Sequence, residues 1–482
     1  MHRVVIIGGG ISGLSAAYFL EKGAAQAGVE IQIDLLEAQD RLGGVIRTER
    51  VGDCLLEGGP DSFLSLKPAA SDLCRELGLA DQLVPSNDDR RKTYVLRDGK
   101  LRELPEGLMF VVPSRIWPLF RSDLFSIGGK LRLAVSPLLS PRGVDGSASP
   151  SHREGDVSAA EFIRSRFGSE VLERLAEPLL AAVYGADPET LSARAALPQL
   201  VALEEKYGSL WRGVRAAAAA AGAKTRPKGS LFITLRDGVG ELVEKLQARL
   251  RRTNVRTGTA AAGVRREPGG RMFCVESRGI QAEADAVIVA TPAFAAGRLL
   301  REVDLSLAEQ VGQIQYHSSV IVAFGFEKSA LRSEPDGFGF VVPRSERKRL
   351  AACTWVSTKF PFRSPPERFL ARCFLGGARD PAILEEPDDR LVEIALGELS
   401  DILGERPKPL FHRIYRWERC MPQYAVGHLG RLEEIAARLA GQPGLFLAGN
   451  GYKGVGIPDC IQSASAAAAG ALHYLESLGP RS

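Results

Sequence analysis

The chain has little of several things, and each shortage excludes something. Its 482 residues hold only six histidines, all dispersed, and no two of its cysteines form a Cys-x-x-Cys pair. That pattern predicts no metal site. The cysteines, Cys54, Cys74, Cys274, Cys353, Cys373, Cys420 and Cys460, are odd in number at seven. They read as reduced, mostly buried thiols of a cytoplasmic protein rather than as a disulfide frame. No apolar run approaches the length of a membrane span. The N-terminus enters a strand at Arg3 and shows no signal-peptide pattern. Neither sign of charge dominates: 62 Lys and Arg face 58 Asp and Glu, for a net charge of +4. The cations are scattered, which argues against nucleic acid. They leave room for an anionic small molecule or a peripheral membrane contact. What remains is ordinary soluble composition, 45% hydrophobic and 25% charged, in a chain long enough for two or three domains.

The glycines carry the first positive signal. Val4-Val5-Ile6-Ile7 is an uninterrupted β-branched run, as a strand buried on both faces requires. Gly8-x-Gly10-x-x-Gly13 follows, with Gly9, Ile11 and Ser12 between, and the chain continues with helical period. A second strand, Ile31 to Leu36, ends at Glu37. Strand, glycine turn, helix, strand and acid in this order predict a dinucleotide-binding unit. Gly8 permits the tight turn, Gly10 lets backbone approach a pyrophosphate, and Gly13 lets helix and strand pack closely. The helix N-terminus offers free N–H groups to the phosphates. Glu37, with Ala38 beside it, is placed to accept from an adenosine ribose, and its charge argues against a 2′-phosphate and so against NADP.

Further glycine segments extend the site. Arg41 and the Gly43-Gly44 pair follow the acid, and Gly59-Pro60-Asp61-Ser62 gives another close approach. A flavin, longer than a nicotinamide dinucleotide, needs such segments; NAD does not. Near the other end, AGNGYKGVGIPDC crowds Gly449, Gly451, Gly454 and Gly456 into one loop before the small-residue run SASAAAAGAL. Elsewhere, residues 115–225 read as mostly helical around a polar loop at 140–156. Residues 305–430 carry strand signals and aromatics at 320–326, 338–342, 352–355 and 369–374, which predicts an antiparallel sheet and an apolar pocket.

RLGG after the acid, GGPDSF, EPLLAAVYG from Glu177, DGFGFVVP from Asp336, and the closing GNGYKGVGIPDC resemble the FAD-dependent porphyrinogen oxidases of haem synthesis. These belong to the wider flavin amine oxidase-like superfamily, and the likeness runs in order along nearly the whole chain. It implies an α/β plus α+β protein: a Rossmann-like two-dinucleotide-binding FAD domain, an antiparallel-sheet substrate domain and a helical insertion. The implied segments are 1–85, 226–304 and 431–482 for FAD, 86–114 and 305–430 for substrate, and 115–225 for the helices. In the family the helical region includes a sometimes membrane-touching patch, for which 109–113 and 117–120 are candidates.

The resemblance implies one FAD, bound non-covalently between both ends of the chain. Val455, Gly456 and Ile457 would put backbone N–H groups near the ring, with Gly449 near the ribityl or pyrophosphate, Ala261 touching adenine, and Trp417 also at the cofactor. Asn450 departs from the Gly-Asp common in the superfamily and removes one charge. The implied reaction oxidises a porphyrinogen at flavin N5 in three two-electron rounds, with O2 reoxidising the flavin to give H2O2. No side chain stands out as a catalytic base. Lys67, Arg344 and Arg47 are candidates to hold the substrate propionates. The implied substrate is coproporphyrinogen III, with protoporphyrinogen IX as the alternative, and the product would pass to the next haem-pathway enzyme. Two other readings stay open: a flavin amine oxidase, and a non-catalytic porphyrin-binding flavoprotein. Some amine oxidases tether FAD through a cysteine, but the sequence around Cys420 does not match that motif.

Overall fold

The computed structural model describes residues 1–105, 108–109, 112–113, 122–136, 155–223, 230–267, 272–277 and 279–479. The candidate membrane-touching stretches fall outside these residues, apart from Met109, Val112 and Pro113, which lie in the short strand pair Leu108–Met109 and Val112–Pro113. The 140–156 loop lies outside them up to residue 154. The chain divides into two compact units, the first of 1–85, 231–315 and 430–482, the second of 86–230 and 316–429.

The first unit is built on a five-stranded parallel sheet. Its order is Thr253–Arg256, Ile31–Leu36, His2–Ile7, Ala286–Val289 and Leu445–Leu447. Val4, Val5, Ile6 and Ile7 are all buried, so neighbours cover both faces of the first strand. The helices Ile11–Ala27 and Ile457–Leu478 share one core with the sheet residues Val4, Ile6, Ile33, Leu35 and Ile288. The Ala-rich run acquires its reason here. Ala464, Ala467, Ala468 and Ala471 are buried with Ala16, Ala17 and Ala24 of the first helix. A Cβ added at Gly23 would stand 2.9 Å from Leu472 Cδ2. Small side chains let these two helices, from opposite ends of the sequence, approach closely.

The second unit holds a seven-stranded sheet in the order Phe411–Pro422, Tyr316–Glu327, Arg368–Gly376, Leu350–Trp355, Gly339–Val341, Thr93–Arg97 and Lys100–Glu103. It is antiparallel except where Gly339–Val341 meets Thr93–Arg97 in parallel. The helix Asp388–Leu403 covers one face through Leu391, Ile394, Ala395 and Leu399. The helices between residues 159 and 223 lie in this same unit. Ala159–Phe167 starts where Ser158 Oγ accepts from Glu161 N at 3.0 Å, an ordinary N-cap. The following helix, from Ser169 to Tyr184, contains a π turn at Leu172–Ala176 that the sequence pattern does not reveal. None of the seven cysteines is in a disulfide, and all but Cys420 are buried. Among the described residues no helix is long and apolar enough to cross a membrane.

Candidate active site

The parallel strands of the first unit all point one way, so the loops that follow them gather at one edge, where such sheets bind ligands. Gly8 opens the first loop at φ +109, and its N–H donates to Leu36 O at 2.8 Å. A Cβ there would lie 2.7 Å from Ala290 O. A Cβ on Gly13 would lie 1.8 Å from Gly8 O, which only hydrogen permits. Gly10 differs, because no heavy atom lies within 4 Å of where its Cβ would be. As N-cap of Ile11–Ala27 it brings no side chain to the first turn. Open space in front of an uncapped helix start fits a pyrophosphate.

The acid is tied to the glycine turn. Glu37 Oε2 accepts from Gly9 N at 2.6 Å and Oε1 from Gln39 N at 2.8 Å. Its backbone carbonyl accepts from Thr259 N at 2.8 Å, which brings the segment entering Ala261–Arg266 alongside. Gly43 N donates to Gly9 O at 2.9 Å, so the Gly43-Gly44 turn lies against the first loop. Both glycines have positive φ, +96 and +59. Arg41 holds that turn from within, donating to the carbonyls of Leu42, Gly44 and Ile46. Burial first, then nearby Arg47, lower its guanidinium below the ordinary value. Exposed Arg47 accepts at its own carbonyl from Gly58 N at 2.7 Å. A Cβ on Gly59 would stand 1.8 Å from Val45 O. Asp61 is fixed beyond it by Ser62 Oγ at 2.6 Å and, through its carbonyl, by Thr234 Oγ1 at 2.7 Å.

The C-terminal loop arrives at the same edge. Ala448 N donates to Val289 O at 3.0 Å, and Gly449, at φ +132, donates to Ser463 Oγ at 3.2 Å. Burial pushes the Cys460 thiol up to about 12, while a hydrogen bond with Ser12 works the other way. The Gly8–Gly13 turn and the Val455-Gly456-Ile457 helix start therefore meet. Lys67 joins them, since its Nζ lies 2.7 and 2.8 Å from the two carboxylate oxygens of Asp459.

Two residues expected at the site belong to the second unit. Half-buried Trp417 lies in the strand Phe411–Pro422, opposite Ser319. Arg344 is exposed; its Nη1 bonds Asp187 Oδ2 at 3.0 Å and its N–H donates to Glu177 Oε2 at 3.1 Å. It borders a cleft of about 370 Å³ with Arg347, Lys348, Arg349, Arg379 and Asp380. Asp459 is the residue that sequence reasoning missed. Its signal was available: an acid three positions after Gly456, at the start of a helix with Pro458 in its first turn, is a capping pattern.

A family model for flavin-containing amine oxidoreductases matches residues 11–472. The coproporphyrinogen III oxidase of Bacillus subtilis (strain 168) is 36% identical over 486 residues, spanning 98% of this chain and 99% of the relative. Protoporphyrinogen oxidase 1 of Spinacia oleracea, chloroplastic, is 31% identical over 98% of this chain and 84% of its own. A crystal structure from Exiguobacterium sp. 255-15, assigned to a protoporphyrinogen oxidase, has 32% identity and a TM-score of 0.84, covering 99% of this chain and 98% of the other. The family match and these relatives together define a flavin-dependent oxidoreductase. The chain belongs to the flavin-containing amine oxidoreductase family and, within it, to the porphyrinogen oxidases.

Proposed function

We propose that the protein oxidises coproporphyrinogen III to coproporphyrin III, using non-covalently bound FAD and O2. The observation that carries this reading is end-to-end likeness to bacterial coproporphyrinogen III oxidases, in a chain whose glycine loops meet at one sheet edge. FAD, when bound, would supply the two-electron redox chemistry, with O2 as the final acceptor. The chain's own task is to hold the cofactor and orient a macrocycle with four carboxylates. Gly8 to Gly13, Glu37, Ala38, Arg41, Gly43, Gly44, Gly59 to Ser62, Ala261, Trp417, Gly449 and Val455 to Ile457 are the proposed cofactor residues. Lys67, Arg344 and Arg47 are the proposed propionate cations. Lys67 is 46% exposed, and an ammonium has three donors, so it can keep Asp459 and still take a substrate carboxylate.

Half-buried Cys420 supports non-covalent binding, because burial pushes its thiol up to about 12 and leaves little thiolate at neutral pH. Acid precipitation is expected to leave all flavin in the supernatant, whereas flavin in the pellet would return the amine-oxidase reading. Turnover of coproporphyrinogen III in air should give about three H2O2 per porphyrin; porphyrin formed without peroxide would contradict O2 as acceptor. Lys67→Met is expected to raise KM for coproporphyrinogen III about tenfold, the loss of one charge-assisted hydrogen bond, with flavin content unchanged. An unaltered KM would remove Lys67 from the substrate site.

A further inference from the structure

Lys67 and Asp459 lie 392 positions apart and meet in a two-point ion pair. An exposed pair of this kind ordinarily contributes little to stability. Here the aspartate does more than pair. Its side chain is only 13% exposed, and its Oδ2 accepts from Gly456 N at 3.1 Å. Gly454, at φ +83, rests directly on it: a Cβ there would stand 2.3 Å from Asp459 Cγ and 2.5 Å from Oδ2. The carboxylate is thus the floor under the 454–456 turn. It also takes the Gly456 N–H, so of the three backbone donors proposed for the ring, Val455 and Ile457 are left. An anion at a helix N-terminus is stabilised by the dipole, and Lys67 neutralises what remains.

We propose that Lys67 and Asp459 are a positioning pair for the flavin: they fix the 454–456 turn and keep the local charge beside the ring close to zero. This rests on the flavin reading of the same site. A reduced flavin carries more negative charge than an oxidised one, so a lone cation nearby favours reduction and a lone anion opposes it.

The test is the midpoint potential of the flavin in the loaded protein. Lys67→Met leaves Asp459 unbalanced and is expected to shift the potential negative. Asp459→Asn keeps an acceptor for Gly456 N–H, leaves Lys67 unbalanced, and is expected to shift it positive. The double variant is expected to return close to the parent value. A structural role alone does not produce opposite signs that cancel. In flavin-free protein, Asp459→Ala should speed amide exchange at Gly456 at least tenfold, because its acceptor is gone. Bound flavin with unmoved potentials, or both single variants shifting it the same way, would overturn the pair's role alone. Failure of every variant, and of the parent, to take up flavin would overturn the flavin reading together with it.

Discussion

Gly13→Ala should yield a protein that is destabilised by about 3 kcal/mol or more and is recovered without flavin. The added methyl would stand 1.8 Å from Gly8 O and 3.0 Å from its carbonyl carbon. Neither is a flexible side chain, so the helix Ile11–Ala27 must move off the first strand. That motion costs packing across the core shared with Ile457–Leu478 and opens the turn at which the proposed phosphates sit. Gly10→Ala is the control. It meets no heavy atom within 4 Å, and φ −70 suits alanine, so flavin-free protein should melt within about 0.5 kcal/mol of the parent. Its methyl instead enters the space assigned to the pyrophosphate, and flavin affinity should fall on the order of tenfold, the loss of one well-made contact. Thermal melts with and without FAD separate the two effects. Equal flavin affinity in Gly10→Ala and the parent would contradict the placement of the phosphates.

Glu204→Ala should cost about 3–5 kcal/mol in the second unit. Arg166 and Glu204 form an ion pair whose side chains are 5% and 1% exposed, with Arg166 Nε 2.7 Å from Glu204 Oε1. The guanidinium also lies 3.8 Å over the Phe162 ring and donates to Phe162 O. Removing the carboxylate leaves a guanidinium in the helical core without the anion facing it. Replacing both partners with apolar side chains of similar volume should restore most of the loss. Denaturant titration measures both. A loss below about 1 kcal/mol for Glu204→Ala would show that water reaches Arg166 readily.

What the sequence makes legible is local. Val4 to Glu37 announces strand, turn, helix and acid because each signal lies within a few residues of the next, and the structure places them in that order. The strands of the second unit are similarly readable from their aromatic and β-branched content, since burial on a sheet demands it. The parallel pairing of Gly339–Val341 with Thr93–Arg97 is not, because register between distant strands leaves no local mark. The π turn at Leu172–Ala176 is hidden for another reason: one extra residue in a helix barely disturbs the apolar period. Lys67 is visible as a cation near a glycine segment, but nothing local says that an aspartate 392 positions away closes on it. Arg41 likewise reads as a cofactor residue, and only the folded turn shows its guanidinium bound to the carbonyls of Leu42, Gly44 and Ile46.

The measurement that bears most directly on the proposed activity is the rate of porphyrin fluorescence from coproporphyrinogen III and from protoporphyrinogen IX, side by side in air, with FAD-loaded protein. Coproporphyrinogen III should be oxidised faster, because its four propionates engage more of the chain's cations than two can. Faster oxidation of protoporphyrinogen IX, or oxidation of neither by flavin-loaded protein, would contradict it.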